Sequence, residues 1–593
     1  MTRRTRRTRR TRPPLRSLFE LPRRIGWRDH AIGAAVALVY AIWLGLTARS
    51  LGFPRDEGVY FRAGTDYVTW LHALWEHGQD ALKQGAIDSA WSYNHEHPAL
   101  MKTLFGLSWW FLHEQWHVVS DASTAYRIPA MAVAGGGLWI TYLFGARAFS
   151  RRAGLVAAAL LGLMPRVFFH AHLACFDVPI MTMWILCVYV HWRAQETRSL
   201  GWAIAAGLVF GLALETKHNA WILPAVLVPH ALFVQRREIV HALRAGRVSI
   251  PTSLVSMAVL GPIVFLALWP YLWNDTLARI EWWVEFHLNH EYYNIEFLGR
   301  NYFGPPSPKS YLPVMVLATV PTVTLVLFAV GATDRVAVTV RRLVAWARSL
   351  GSKGSSGNRP AGDAGGDNER AERPPRDRRE TDLLLALSFA VAIGPFFLPK
   401  TPIFGGTKHW LPAYPALALF AGHGFDRIVL AMRRALPDLA GARARWAEGV
   451  LVLTVIAAPL AITVHSHPFG LSSYVPIVGG TAGGATLGLN RQFWGYTTQD
   501  AAAEYLNAKA PRGATVFFDD TTWDAWGRMQ EEGRVRGDLR GAGAPHEAQF
   551  ALVQHELHMS EVDYSIWTAL GTVNPVYVVA HDGVPIVSIY RKP

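Results

Sequence analysis

At 593 residues, 51% of them hydrophobic and only 17% charged, with 24 tryptophans, the chain holds more apolar sequence in long unbroken runs than a soluble multidomain protein carries, which makes it an integral membrane protein. Its net charge of +14 does not indicate nucleic acid, because the basic residues gather in short clusters between apolar runs instead of covering one folded face; anionic membrane lipids are the expected partner. Cys175 and Cys187, the two cysteines, both lie in apolar segments and exclude a disulfide framework or a cysteine metal cluster; they read as packing residues.

Taken in order, residues 1–29 form a basic terminus with the arginine repeat from Arg3 to Arg10. The apolar run Ala31 to Ala48 follows and reads as an uncleaved signal anchor, since no small-x-small cleavage site precedes the next charges. A span needs about 20 apolar residues. That length predicts about eleven membrane helices, near 30–50, 126–149, 153–172, 177–193, 200–216, 219–235, 249–272, 310–331, 382–400, 409–427 and 446–465. With the arginine-rich terminus inside, this threading puts Arg151-Arg152, the loop Gln235 to Arg247, the region Arg335 to Arg379 and the cluster Arg433 to Arg445 all in the cytoplasm, as the positive-inside bias requires. Residues 349–380, low in complexity and mixed in charge, read as a disordered cytoplasmic linker.

Three pieces then face outward: the segment 51–125, the segment 273–309 and the tail from 466 to 593. In the first, Ala99 to His113 is amphipathic, and its Trp109-Trp110 and Lys102 suit a helix lying in the interface. The second is dense in Trp282, Trp283, His287, His290, Tyr292 and Tyr293. In the tail, Thr498 to Ala508 has helical spacing, Ala514 to Phe518 and Tyr577 to Val579 are β-rich, and Asp582-Gly583 reads as a hairpin turn, together a small extracytoplasmic α/β domain.

The candidate chemistry collects on that outer side. Asp56 and Glu57 stand just beyond the first span, where partial desolvation can poise a carboxylate as a proton acceptor; a solvated loop pair is the plain alternative. Tyr60, His95, Glu96, His97, Lys102, Asp177, Lys217, His218, Lys408 and His409, with His170, His172 and Lys400, are polar groups at outer span ends. Lysines there run against the charge rule, and an anionic ligand such as a phosphate accounts for them; snorkelling to headgroups is the alternative for Lys217 and Lys408, and a helix cap for Asp177. His95-x-His97 with Glu96 has the look of a metal clip, although such pairs are common in polar loops and no metal is assigned.

This order of elements resembles the protein O-mannosyltransferase and lipid A aminoarabinose transferase group of the GT-C membrane glycosyltransferases, a family 39-like set. Asp56-Glu57 follows the first span, Glu96-His97-Pro98-Ala99-Leu100 stands where that group often has His-Pro-Pro-Leu, and Tyr126-Arg127-Ile128-Pro129 opens an Arg-led second span. Lys217 is similar to its recurring helix-end lysine, and Pro412 to Ala418 to its late Leu-Pro-x-x-Pro-Ala-Leu span. The resemblance implies a GT-C-like bundle in the plasma (inner) membrane, with active site and C-terminus outside. It implies a polyprenyl-phosphate sugar donor and a protein or glycolipid acceptor. On it, Asp56 is the general base, Glu57 orients the acceptor or polarises its neighbour, Lys217, Lys408 or Lys102 neutralises the departing phosphate, and aromatics hold the sugar. Phosphate is a good leaving group, so no cofactor is required. Two rival classes remain at this point: a transporter or flippase of lipid-linked sugars, which would favour related halves and charges at midspan, and a non-catalytic envelope-assembly protein.

Overall fold

The computed structural model describes residues 25–351, 378–403, 405–436, 441–492, 500–519 and 521–593. Most of the basic terminus and of the linker expected at 349–380 lie outside them. The helices are α1 (Trp27–Thr47), α2 (Arg55–His77), α3 (Gln84–Trp91), α4 (Leu100–Trp109), α5 (Ala122–Ala148), α6 (Arg151–Gly162), α7 (Pro165–His172), α8 (Asp177–Thr197), α9 (Leu200–Leu214), α10 (Pro224–Arg244) and α11 (Thr252–Leu268). They continue with α12 (Thr276–Leu288), α13 (Tyr311–Thr319), α14 (Thr322–Gly351), α15 (Arg378–Ile393), α16 (Tyr414–Ala435), α17 (Gly441–Ser466), α18 (Gly480–Thr486), α19 (Asp500–Lys509), α20 (Trp523–Glu531) and α21 (Ser560–Leu570).

A helix lies on each of the eleven expected spans, but only some are single rods. Among the described residues five helical stretches are long and apolar enough to cross a membrane: Trp27–Ser50, Ala122–Ala148, Thr322–Ala345, Arg379–Phe397 and Gly441–Ser466. The run expected at 153–172 is two helices, α6 and α7, bent by 68°. Pro165 stands at the first position of α7, where its missing N–H and fixed φ suit a helix start and end the helix before it. Pro321 divides the run expected at 310–331 in the same way, between α13 and α14. α9 and α11 are shorter apolar helices.

Charges mark the two ends of α1. Near its start, buried Asp29 accepts from Gly26 N–H at 3.0 Å and pairs with Arg151 at 2.6 Å, while Arg152 bonds Asp426 (2.6 Å) and Glu448 (3.1 Å). The expected cytoplasmic arginines of this cluster are therefore tied to carboxylates of α1, α16 and α17 and are not all free for lipid. Asp56 follows the other end, across a helix of 21 residues, a rise of about 30 Å and so close to a hydrocarbon thickness.

The segment expected as a first outer loop is mostly helical. α2 begins at Arg55, so Asp56 and Glu57 occupy its first turn and are not loop residues. α2 crosses α4 where Gly64 meets Gly106: a Cβ on Gly106 would lie 2.1 Å from the Gly64 carbonyl oxygen, so that position admits no side chain, and one on Gly64 would press on the Lys102 carbonyl oxygen at 3.0 Å. α4 continues through a π-helical turn, Trp110–Gln115. Tyr67 stacks on Trp91 at 3.9 Å, and these join Trp70, Trp269 and Trp283 in one aromatic cluster that fastens the 51–125 segment to the segment around α12.

The tail folds on a five-stranded sheet of β3 (Thr515–Phe518), β4 (Arg540–Ala542), β5 (Phe550–Gln554), β6 (Tyr577–His581) and β7 (Val584–Arg591), a separate ribbon of β1 (Ile295–Phe297) and β2 (Arg300–Tyr302) lying upstream. Strand order is β4-β3-β5-β7-β6. β3 runs parallel to β4 and β5, with Val516 opposite Phe550; β7 is antiparallel to both neighbours, with Leu552 opposite Ile589. Asp582 (φ 51°) and Gly583 (φ 75°) make the β6–β7 turn expected there. Val516, Leu552 and Ile589 are buried in its core.

Candidate active site

A cavity of about 850 Å³ opens where the outer segments meet the tail. Nine of the residues singled out in the sequence line it: Asp56, Tyr60, Glu96, His97, Asp177, Lys217, His218, Lys408 and His409. They come from five separate stretches of chain.

Asp56 sits in the first turn of α2, where the positive end of the helix favours a carboxylate. One of its oxygens is 3.9 Å from Lys408 Nζ, and its side chain is 33% exposed against 6% for the lysine. Lys408 is carried by a 3₁₀ turn, Gly406–Ala413, at the entry of α16. Opposite, Lys217 Nζ donates to Asp177 Oδ1 at 2.7 Å, with His170 Nδ1 3.9 Å from the other oxygen. Asp177 is thus an ion-pair partner and makes no side-chain cap for α8. Lys217 has only 10% of its side chain exposed. Neither lysine extends to headgroups, and the snorkelling alternative does not describe them.

Three candidates do not face the cavity. Glu57 is fully buried, its Oε1 accepting from Arg127 Nε (2.7 Å) and from Ala174 N–H (2.8 Å), its Oε2 from Arg127 Nη2 (2.6 Å). Arg127 also donates to the carbonyls of Ala48 (2.9 Å) and Gly52 (2.7 Å). Glu57 lies about 100° round the helix from Asp56, on the side of α2 that meets Arg127. Of the two roles expected for Glu57, orienting the acceptor or polarising its neighbour, the first does not fit a side chain turned away from the cavity onto Arg127 and the Ala174 N–H: the pair staples the end of α1, the start of α2 and the approach to α8. Lys102 donates to the carbonyls of Asn94 (2.6 Å) and His97 (2.9 Å), holding the loop that lines the cavity without lining it. Burial lowers its pKa to about 7 against the opposing charges of Glu96 and Glu215. His95 lies between Tyr271 (4.7 Å) and Trp282 (4.4 Å) and bonds the Ser92 carbonyl, while His97 faces the cavity, so the two histidines do not close on one ion. Of the further groups, Lys400 is exposed outside the cavity wall, and His172 bonds Thr47 Oγ1 at 2.8 Å.

Burial favours the neutral form of three histidines on the wall. His97 and His218 are pushed well below the usual histidine range, by desolvation and then by neighbouring cationic groups, and His287 is pushed down to about 4 by desolvation. The Tyr60 hydroxyl is driven well above its usual value by burial and by the Asp56 charge. Lys217, Lys408 and Arg55 bring positive charge to the cavity.

The sequence reading missed several wall residues. Arg55 immediately precedes the acid pair and Asn219 follows Lys217-His218, so both carried a positional signal. His287, His290 and Tyr293 lay in a segment noted for its density of aromatics but given no role. His287 Nε2 and Trp283 Nε1 lie 2.9 and 3.0 Å from the Glu96 carbonyl oxygen, which anchors the Asn94–His97 loop. Asn490, Thr522 and Glu556 come from the tail, and nothing in their local sequence marks them.

The family model described as dolichyl-phosphate-mannose-protein mannosyltransferase matches residues 107–267, the part that carries the Arg-led helix, Asp177 and Lys217. No curated protein matches the chain by sequence. Among solved structures, ArnT from Cupriavidus metallidurans bound to undecaprenyl phosphate aligns at 16% identity over 95% of this chain and 98% of its own, with a TM-score of 0.44. The archaeal oligosaccharyltransferase AglB from Archaeoglobus fulgidus, in complex with an inhibitory peptide and a dolichol-phosphate, aligns at 11% identity over 92% of this chain and 71% of its own, with a TM-score of 0.46.

Proposed function

We propose that this chain is a GT-C membrane glycosyltransferase of the protein O-mannosyltransferase and lipid A aminoarabinose transferase group, and that it moves a mannose-like or other hexose or pentose unit from a polyprenyl-phosphate donor to a hydroxyl or phosphate acceptor on protein or lipid. The reaction runs with inversion, at the outer face of the inner membrane. Asp56 takes the proton of the acceptor as its oxygen attacks the anomeric carbon. The bond from that carbon to the phosphate oxygen breaks, and the lipid phosphate leaves with the bonding pair, its charge met by Lys408 and Lys217.

The observation that supports this reading best is the placement of Lys408 Nζ 3.9 Å from Asp56 in a cavity whose other wall holds the Lys217–Asp177 pair. A general base must keep its charge near a departing anion without being repelled by it, and a lysine between the two serves both. The neutral imidazoles of His97, His218 and His287 and the ring of Tyr60 supply hydrogen bonds and apolar faces for a sugar. Arg127 and Glu57 act as positioning residues, because they fix the turn from which Asp56 projects.

Mass spectrometry of lipid retained by the purified full-length protein tests the donor class. A bound glycosyl-phosphoryl-polyprenol, consumed when acceptor-bearing envelope extract is added, is the expected result. Retention of a diphosphate-linked oligosaccharide that leaves chemically unchanged would overturn the reading in favour of a flippase.

A further inference from the structure

Outside the cavity, two histidines and a carboxylate meet at the junction of the last long membrane helix with the tail. We propose that His465, His581 and Asp582 bind one divalent transition-metal ion of the zinc class, which clamps the C-terminal sheet to α17. His465 stands in the last turn of α17, His581 ends β6 and Asp582 opens the turn to β7. Their ligand atoms all lie within 4.8 Å of one another. His465 Nε2 is 2.8 Å from Asp582 Oδ1, and His581 Nε2 is 3.7 Å from Asp582 Oδ2.

The arrangement is held in place by contacts of its own. The His581 ring stacks on Phe469 with centroids 5.0 Å apart, and the Ser473 hydroxyl lies 3.0 Å from its Nε2. Positive φ at both Asp582 and Gly583 sets the tight turn that presents the carboxylate. A second imidazole, its centroid 5.2 Å from that of His465, is brought to the same carboxylate, and an ion at His581 Nε2 takes the place of the Ser473 contact there, the Ser473 hydroxyl keeping its bond to the Phe469 carbonyl at 3.0 Å. Two imidazoles and a carboxylate are a donor set that zinc accepts, and bonds of about 2.0–2.2 Å place ligand atoms about 3.4 Å apart, so His465 and Asp582 open from 2.8 Å while His581 closes toward them. His465, with 65% of its side chain exposed, leaves an entry path and room for water as a fourth ligand.

The consequence is mechanical. The tail supplies Thr522 and Glu556 to the wall of the catalytic cavity, and none of the three metal-binding residues lines it. An ion here fixes the sheet through β6 and β7 without entering the chemistry.

The test uses full-length protein in detergent with its affinity tag removed, stripped with EDTA and titrated with zinc chloride. Calorimetry and elemental analysis are expected to show that wild type binds one more zinc per chain than the double variant His465→Ala, Asp582→Asn. Zinc should raise the unfolding temperature of wild type more than that of the variant, while the two stripped proteins unfold at similar temperatures because His465 is exposed. Cobalt in place of zinc should give visible bands that the variant loses. Equal zinc content in the two proteins, whether none or one, overturns the proposal.

Discussion

Glu57 and Arg127 form a two-bond ion pair with both side chains wholly buried. Removing one partner of such a pair leaves an uncompensated charge and costs about 3–5 kcal/mol. Glu57→Gln is therefore expected to lower the unfolding temperature and the turnover together, measured on the same detergent preparation. Lys217 behaves differently from what its place at an outer helix end suggests. Its substitution by alanine strands Asp177, whose side chain is 4% exposed, so stability as well as donor use should fall; Lys408→Ala, facing the more exposed Asp56, should raise the donor KM or lower kcat with the smaller loss of stability. The histidines give a pH signature. His287 has a folded pKa near 4 against an ordinary value of 6.5, so between those values the unfolded chain binds more protons than the folded one. Its contribution is complete above pH 6.5 and is lost as pH falls toward 4. The unfolding temperature should drop across that window, and His287→Gln, which keeps a donor for the Glu96 carbonyl, should flatten part of the drop.

At the scale of elements, the contact between α2 and α20 couples the catalytic turn to the tail. Gly58 lies two residues after Asp56, and a Cβ there would meet Ala525 N and Thr522 Oγ1 at 2.6 Å. Backbone cannot give way as a flexible side chain does, and overpacking of this kind costs about 1–3 kcal/mol. Gly58→Val should loosen the tail, seen as faster limited proteolysis between 500 and 593, and should slow transfer although no polar group is lost; unchanged proteolysis would mean that α20 does not bear on α2. The spans were legible because apolar length and flanking charge are properties of the chain itself. The breaks at Pro165 and Pro321 were legible in principle, since proline ends helices by its own geometry, but run length was allowed to outweigh them. Within 51–125 the interfacial helix expected at Ala99 to His113 is α4 and its π-helical turn, but α2 was not legible, because it is polar on one face and its burial depends on Trp269 and Trp283 some 200 residues away. For the same reason Asp56 and Lys408 could be named singly as outer-side groups, but not paired.

At the scale of the whole molecule, the cavity draws its wall from the first outer segment, the ends of α8 and α9, the α12 segment, the entry of α16 and the tail. That requires all of them to share one side of the membrane. A reporter fused after Gly362 is expected in the cytoplasm and one after Pro593 outside; both on one side would contradict the eleven-span threading and leave Asp56 and the tail without a shared compartment. The central claim is that Asp56 takes the acceptor's proton while lysines hold the donor's phosphate. The most direct measurement compares wild type with Asp56→Asn for donor binding and for transfer in the same preparation. The amide keeps the shape and the hydrogen bonds of the carboxylate but cannot accept the proton, so transfer should fall by about 10² or more with donor affinity unchanged. Near-normal transfer by Asp56→Asn would contradict the account and move the base to Glu96 or Asp177; loss of donor binding along with transfer would make Asp56 a ligand and not a base.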